Sequence, residues 1–138
     1  MNVIYFLTPK SKIRCCYDTM SVRQALEIFE HYRYQCVPLL NESGFYVGTL
    51  SEGDLLFYIK EHPFKSQEDF NKIKILDVKR NRDYLPINAF VEIDDIITTS
   101  TNQNFVPILD DKEHFIGIVT RKTIINYLFL NSKKDVSL

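Results

Sequence analysis

"CVPLLNESGFYVGTLSEGDLL", residues 36–56, is restated at residues 105–125 as "FVPILDDKEHFIGIVTRKTII". Pro38 corresponds to Pro107, Gly48 to Gly117, Ser51 to Thr120 and Asp54 to Thr123, each pair 69 residues apart (107 − 38, 117 − 48). The match needs no gap and lies in the order of apolar and polar positions more than in identical letters. A chain that repeats one such unit is read as a fold built from two copies of a supersecondary motif.

Each copy reads as strand, helix, strand, strand, helix. In the first, "KIRCCY" is a candidate strand. "TMSVRQALEIFEHY" follows, with Val22, Ala25, Leu26 and Phe29 at the i, i+3, i+4, i+7 spacing of one helix face. Thr19 or Ser21 is its candidate cap. "CVPLLN" and "FYVGTL" form a hairpin around "NESG". "SEGDLLFYIKE" starts a second helix, with Leu55, Leu56 and Ile59 expected to face inward. In the second copy "DYLPIN" is the first strand, and Ile93, Ile96, Ile97 and Ser100 make the helix face. "FVPILD", "FIGIVT" and "RKTIINYLFL" complete it. The helix offset is 71 (93 − 22) against 69 for the hairpin, so the helix-to-strand turn is two residues longer in the first copy. The turn "DDKE" lacks glycine, but aspartate tolerates turn conformations. The expected boundaries are residues 1–61 for repeat 1, 62–74 for a linker with a capping-box start at "SQED", 75–130 for repeat 2, and 131–138 for a polar tail. A unit of roughly 60 residues is marginal alone, so the two copies are expected to pack together.

Composition narrows the function. The 138 residues carry a net charge of −1 and no basic block, which argues against a nucleic-acid partner. The apolar start "MNVIYFLTPK" is too short for a signal peptide, and no segment is long and apolar enough to span a bilayer, so a cytoplasmic location without membrane attachment is expected. Cys15, Cys16 and Cys36 have neither the number nor the spacing of a disulfide framework or a metal site, and read as small apolar residues. His31, His62 and His114 share no motif with a nucleophile or paired carboxylates. There is no HExxH, Walker loop or GxGxxG. A catalytic role and a metal centre are therefore not expected.

The pattern apolar-Pro-apolar-apolar, turn, Phe/Tyr-apolar-Gly-apolar-apolar-Ser/Thr-x-x-Asp, then an apolar helix, resembles the CBS domain, named for cystathionine β-synthase. "VPLL…VGTLSEGDLL" and "VPIL…IGIVTRKTII" carry the resemblance, which extends over roughly residues 1–130. "LTPK" at 7–10 and "ILDV" at 75–78 resemble the lead-ins to the two repeats. The chain is similar to the stand-alone CBS-pair proteins of bacteria. The resemblance implies an α/β (α+β) fold of two βαββα repeats packed as a pseudo-twofold pair, which assembles into a disc-like homodimer. It also implies a regulatory module that binds an adenosine-containing ligand in the clefts between repeats (AMP, ADP or ATP, with S-adenosylmethionine or cyclic di-AMP as further members of the class) and signals energy or metabolic state to an effector protein.

On the residues, "SEGD" has two readings. A helix N-terminus presents free N–H groups and a positive dipole end to phosphate. The Ser51 hydroxyl lies there, and a carboxylate at Asp54 can accept both hydroxyls of a ribose at roughly 1.5–3 kcal/mol for each charged bond. The same Ser-x-x-Asp is also a capping box, which needs no ligand. The resemblance assigns Asp54 to ribose and Ser51 to phosphate, and both roles can coexist. In repeat 2, Thr120 keeps the hydroxyl, but Thr123 replaces the carboxylate, so ribose binding there is expected to be weaker or absent. Arg121 and Lys122 bring cations to the helix start, as phosphate contacts or as a solvated helix end. Cations are unfavourable at that end without an anion. Lys10, with Lys12 and Arg14, is either a further phosphate contact or surface charge. Val37, Pro38, Val106 and Pro107 are read as adenine-pocket walls or as plain core strand, with Tyr34, Cys36 and Phe105 beside them. Two alternatives remain open: an interaction module without a ligand, and a cyclic di-AMP receptor.

Overall fold

The computed structural model describes residues 1–63 and 66–136. They fall into two compact units, Arg14–Asp83 and a second made of Met1–Ile13 with Tyr84–Leu138. The first thirteen residues thus belong with the second repeat's strands and not with their neighbours in sequence.

In the N-terminal segment, strand β1 (Thr8–Pro9) follows one turn of 3-10 helix, Val3–Phe6. The unit of residues 14–83 opens with β2 (Cys16–Tyr17), shorter than the strand expected over "KIRCCY". Helix α1 (Val22–Tyr32) is capped by Ser21, whose hydroxyl accepts the Gln24 amide while the Gln24 side chain accepts the Ser21 amide. Val22, Ala25, Ile28 and Phe29 form its buried face. The helix ends at Arg33 in the left-handed region, φ 56°. Strands β3 (Cys36–Leu40) and β4 (Tyr46–Ser51) form the expected hairpin, and α2 (Glu52–Glu61) follows directly. Of the residues expected inward on α2, Leu55 is buried and Ile59 half-buried. Leu56 is 61% exposed, because it is one position off the single stripe that faces the sheet. Helix α3 (Gln67–Lys72) starts at a Ser66–Asp69 capping box and seats Phe70 in the core. The sheet runs β2–β3–β4, parallel then antiparallel. Its core gathers Cys16, Val22, Ala25, Leu39, Leu50, Leu55 and Ile75.

The other unit adds β5 (Ile87–Asn88), α4 (Ile97–Ser100), β6 (Phe105–Leu109), β7 (Phe115–Thr120) and α5 (Arg121–Val136). Its sheet runs β1–β7–β6–β5. The expected helix over Ile93–Ser100 is a 3-10 turn, Ile93–Ile96, followed by one α-turn. Ser100 and Thr101 turn their hydroxyls back onto the carbonyls of Ile97 and Thr98 at 2.6 and 2.7 Å, competing with helix continuation. The apolar face is nevertheless delivered, with Ile93 and Ile96 fully buried beside Val3, Val106, Ile108, Val119 and Ile124. The hairpin without glycine closes on Asp110, whose Oδ1 accepts the amides of Lys112 and His114 at 2.9 and 2.8 Å. Glu113 takes a positive φ of 67° where the first hairpin has Gly44 at 88°. Helix α5 runs through most of the segment read as a polar tail, with Lys133 Nζ 4.5 Å from the Phe129 ring centre one turn back. Residues 137–138 of that segment lie outside the described residues.

The chain is thus an α/β protein with two sheets, as the repeat pattern implied.

Candidate functional site

Ser51 ends β4 and caps α2. Its hydroxyl accepts the Asp54 amide at 3.0 Å, and Asp54 Oδ2 accepts the Ser51 amide at 2.9 Å. The capping box is therefore formed. Asp54 does more than cap: it is 6% exposed, and its Oδ1 accepts the backbone amide of Asn81 at 2.9 Å. Each such bond to a charged acceptor is worth about 1.5–3 kcal/mol, so the two bonds fix the orientation of the carboxylate.

Asn81 belongs to the segment "KRNRD", residues 79–83, which crosses β4. Asp83 Oδ1 accepts the Thr49 amide at 3.0 Å and the Arg80 Nε at 2.8 Å, while Arg80 Nη2 reaches Asp83 Oδ2 at 3.2 Å. Burial pushes the Asp83 carboxyl up, but the bonds from Arg80 and Thr49 outweigh it, and its pKa falls below the ordinary aspartate value. The bond to Asp83 raises Arg80 correspondingly. Thr49 is itself buried, its hydroxyl 2.5 Å from that of Tyr46. Arg80, Asn81 and Asp83 escaped sequence reading because no periodicity marks them. The one available signal was the i, i+3 pairing of Arg80 with Asp83.

Beside Asp54 opens a cavity of about 210 Å³, lined by Asp54, Phe57, Tyr58, Glu61, Lys79 and Asn81. Tyr58 forms its aromatic wall, stacked on His62 with ring centres 4.1 Å apart and packed edge-on against Phe70. Burial, then Asp77, raises the Tyr58 hydroxyl above its ordinary pKa, so the wall is uncharged at neutral pH. Lys79 brings the cavity a cation that the sequence reading did not single out.

The remaining first-repeat residues lie along the same hairpin. Cys36 stands opposite Ser51, Val37 opposite Leu50 and Pro38 opposite Thr49. The Val37 side chain is wholly in the core, Pro38 is buried, and Tyr34 and Cys36 are half-buried. Tyr34 stacks on Tyr32 at 5.4 Å. Arg14 is exposed.

In the other unit, the Thr120 and Thr123 hydroxyls bond each other at 2.8 Å, and Thr120 Oγ1 accepts the Thr123 amide at 3.2 Å. The cap survives without a carboxylate. Arg121 Nε donates to the Ser100 carbonyl at 2.8 Å, closing the end of α4, and Lys122 is exposed. Val106 and Pro107 are buried, as is Phe105, which packs edge-on against Tyr84 at 4.9 Å. Lys10 is half-buried and Lys12 exposed at the two ends of a 3-10 turn beside β7. Burial, then Cys15, pushes the Cys16 thiol up to about 12, so it stays protonated and unreactive. Among the described residues no cluster of His, Cys, Asp or Glu suits a metal ion, and no helix is long and apolar enough to cross a membrane.

Comparison with known proteins bears on this arrangement. The family model for the CBS domain matches twice, at residues 6–61 and 77–130. A crystal structure of CbpB in complex with c-di-AMP superposes with a TM-score of 0.82 at 22% identity, covering 98% of this chain and 90% of that one. A crystal structure of CBSX2 in complex with AMP gives 0.68 at 20% identity, covering 95% and 98%. The cystathionine beta-synthase of Dictyostelium discoideum is 23% identical over 117 residues, 85% of this chain but only 23% of that enzyme's length.

Proposed function

The chain belongs to the CBS-domain family, and from that we propose that it is a regulatory module that binds an adenosine-containing ligand at Asp54 and reports it to a partner protein. The observation that carries the proposal is the buried Asp54 carboxylate beside an aromatic-walled cavity at a helix N-terminus. The carboxylate supplies acceptors for a ribose diol. The Ser51 hydroxyl accepts the Asp54 amide and keeps its own proton to donate to a phosphate. Thr120, Arg121, Lys122 and Lys10 are the proposed phosphate contacts of a second, weaker site. Tyr34 and Pro38, with the backbone at Val37, are the proposed adenine surroundings in the first repeat, and Phe105 and Pro107, with the backbone at Val106, those in the second.

The AMP carried by CBSX2 and the c-di-AMP carried by CbpB support an adenosyl ligand as the class. No catalytic step is part of the proposal. A homodimer is: α5 leaves Ile125, Leu128 and Phe129 exposed at i, i+3, i+4, an apolar stripe that a second copy would cover. We place the protein in the cytoplasm, where such ligands occur.

Calorimetric titration with AMP, ADP, ATP, cyclic di-AMP and S-adenosylmethionine, on the wild type and Asp54→Ala, tests the site. Micromolar binding, about −8 kcal/mol, that disappears in the variant is expected. Binding that survives Asp54→Ala would move the site elsewhere. A second reading, an interaction module without a ligand, draws on one observation: both Asp54 oxygens already have partners inside the protein. Failure of all five ligands to bind would favour it.

A further inference from the structure

Asp54 holds the chain that leads away from it. The Asn81 amide on its Oδ1 lies 27 residues further along, and two residues later Asp83 is fastened to Thr49 on β4. Residues 80–83 are thus pinned to the β4–α2 junction at both ends. The pins are polar. Val78, fully within the core, is the last buried residue before them, and Asn81, Arg82 and Asp83 are exposed. A segment held by hydrogen bonds without buried apolar anchors opens at low cost. Asn81 also lines the cavity beside Asp54, so a donor that reaches the carboxylate through that cavity arrives over Asn81.

Resting on the reading of Asp54 as the ribose acceptor, we propose that residues 80–83 form a strap that competes with the ligand for Asp54. The diol takes Oδ1 from the Asn81 amide, and the strap loses its hold on α2 while Asp83 keeps its hold on β4. Apparent affinity is reduced by the fraction of molecules in which the strap is closed.

The test is titration of the full chain with AMP and with cyclic di-AMP, comparing the wild type, Asp83→Ala and Asp54→Ala. Loosening the strap through Asp83→Ala should tighten binding about tenfold, while Asp54→Ala abolishes it. Affinity that is unchanged or weaker in Asp83→Ala, with Asp54→Ala still abolishing binding, overturns the strap and leaves the site standing. Failure of both probes to bind the wild type and Asp83→Ala overturns the site and the strap together. A second measurement needs no variant: the Asn81 amide should exchange with solvent faster in wild-type protein saturated with AMP. An amide equally protected with and without AMP also overturns the strap.

Discussion

The carboxylate of Asp83 lies where a side chain on Gly48 would have to be. Strand β4 is the edge of its sheet, and Asp83 takes the Thr49 amide that would otherwise face outward unpaired. The other sheet solves the same problem 69 residues later (117 − 48), with β1 paired to β7 at Gly117. One carboxylate does for the first edge what a two-residue strand does for the second.

Alanine at either glycine should destabilise the protein, and Gly117→Ala more. At Gly117 the added carbon meets the Thr8 carbonyl, main chain that cannot swing aside, at a φ of +156°. At Gly48 it meets the end of a side chain that can move once its bonds break. We expect a loss of about 1–3 kcal/mol for Gly117→Ala and a smaller one for Gly48→Ala, read from urea unfolding midpoints.

Acid should detach Asp83 before it unfolds the protein. Its folded pKa lies below the ordinary 3.8, so its contribution is complete above that value and is lost as pH falls through the folded pKa. The Thr49 amide resonance, followed from pH 6 to pH 2 by nuclear magnetic resonance, should shift only below 3.8. A shift centred above that value would refute the Arg80–Asp83–Thr49 arrangement.

Thr123→Asp should restore in repeat 2 the carboxylate that repeat 1 has. The Thr120 cap already exists, so the expected effects are one added hydrogen bond that completes the capping box, worth about 0.5–1.5 kcal/mol, and a second, or tighter, nucleotide site by calorimetry. A stability gain without any change in nucleotide stoichiometry or affinity would assign the residue to the helix cap alone.

Alkylation of native protein should separate the cysteines. Cys36 is half-buried, Cys15 is 5% exposed, and Cys16 is fully buried with its thiol pushed up to about 12. Iodoacetamide at neutral pH should modify Cys36 well before the other two, which react only after denaturation; peptide mass mapping reads the order.

Glutamate at positions 125 and 129 should dissociate the proposed homodimer. Ile125 and Phe129 are each 56% exposed on α5, so the double substitution removes no core packing. Light scattering should show dimers for the wild type and monomers for the variant.

Much of this was legible because burial has a period. Val22, Ala25 and Phe29 announced α1, and the Pro38 and Pro107 hairpins announced both sheets. The capping boxes at Ser51 and Ser66 follow from residue types alone. What escaped was long-range or depended on a choice among local bonds. Ser100 and Thr101 could have continued a helix; their hydroxyls ended it. Leu56 looks as apolar as Leu55, and only the face of α2 that meets the sheet tells them apart. Asp83 is one charged residue among several in "KRNRD" until the chain brings it to β4.

The exchange of lead-in segments has a consequence for how the protein is made. On a ribosome, which releases the amino end first, residues 14–83 have every strand of their sheet once Asp83 has emerged. Residues 1–13 do not: their partner strand β7 is not synthesised until residue 120. Throughout that interval Val3, destined for complete burial, has no core to enter. Residues 1–13 are translated before the whole of residues 14–120, yet they are among the last to find their place.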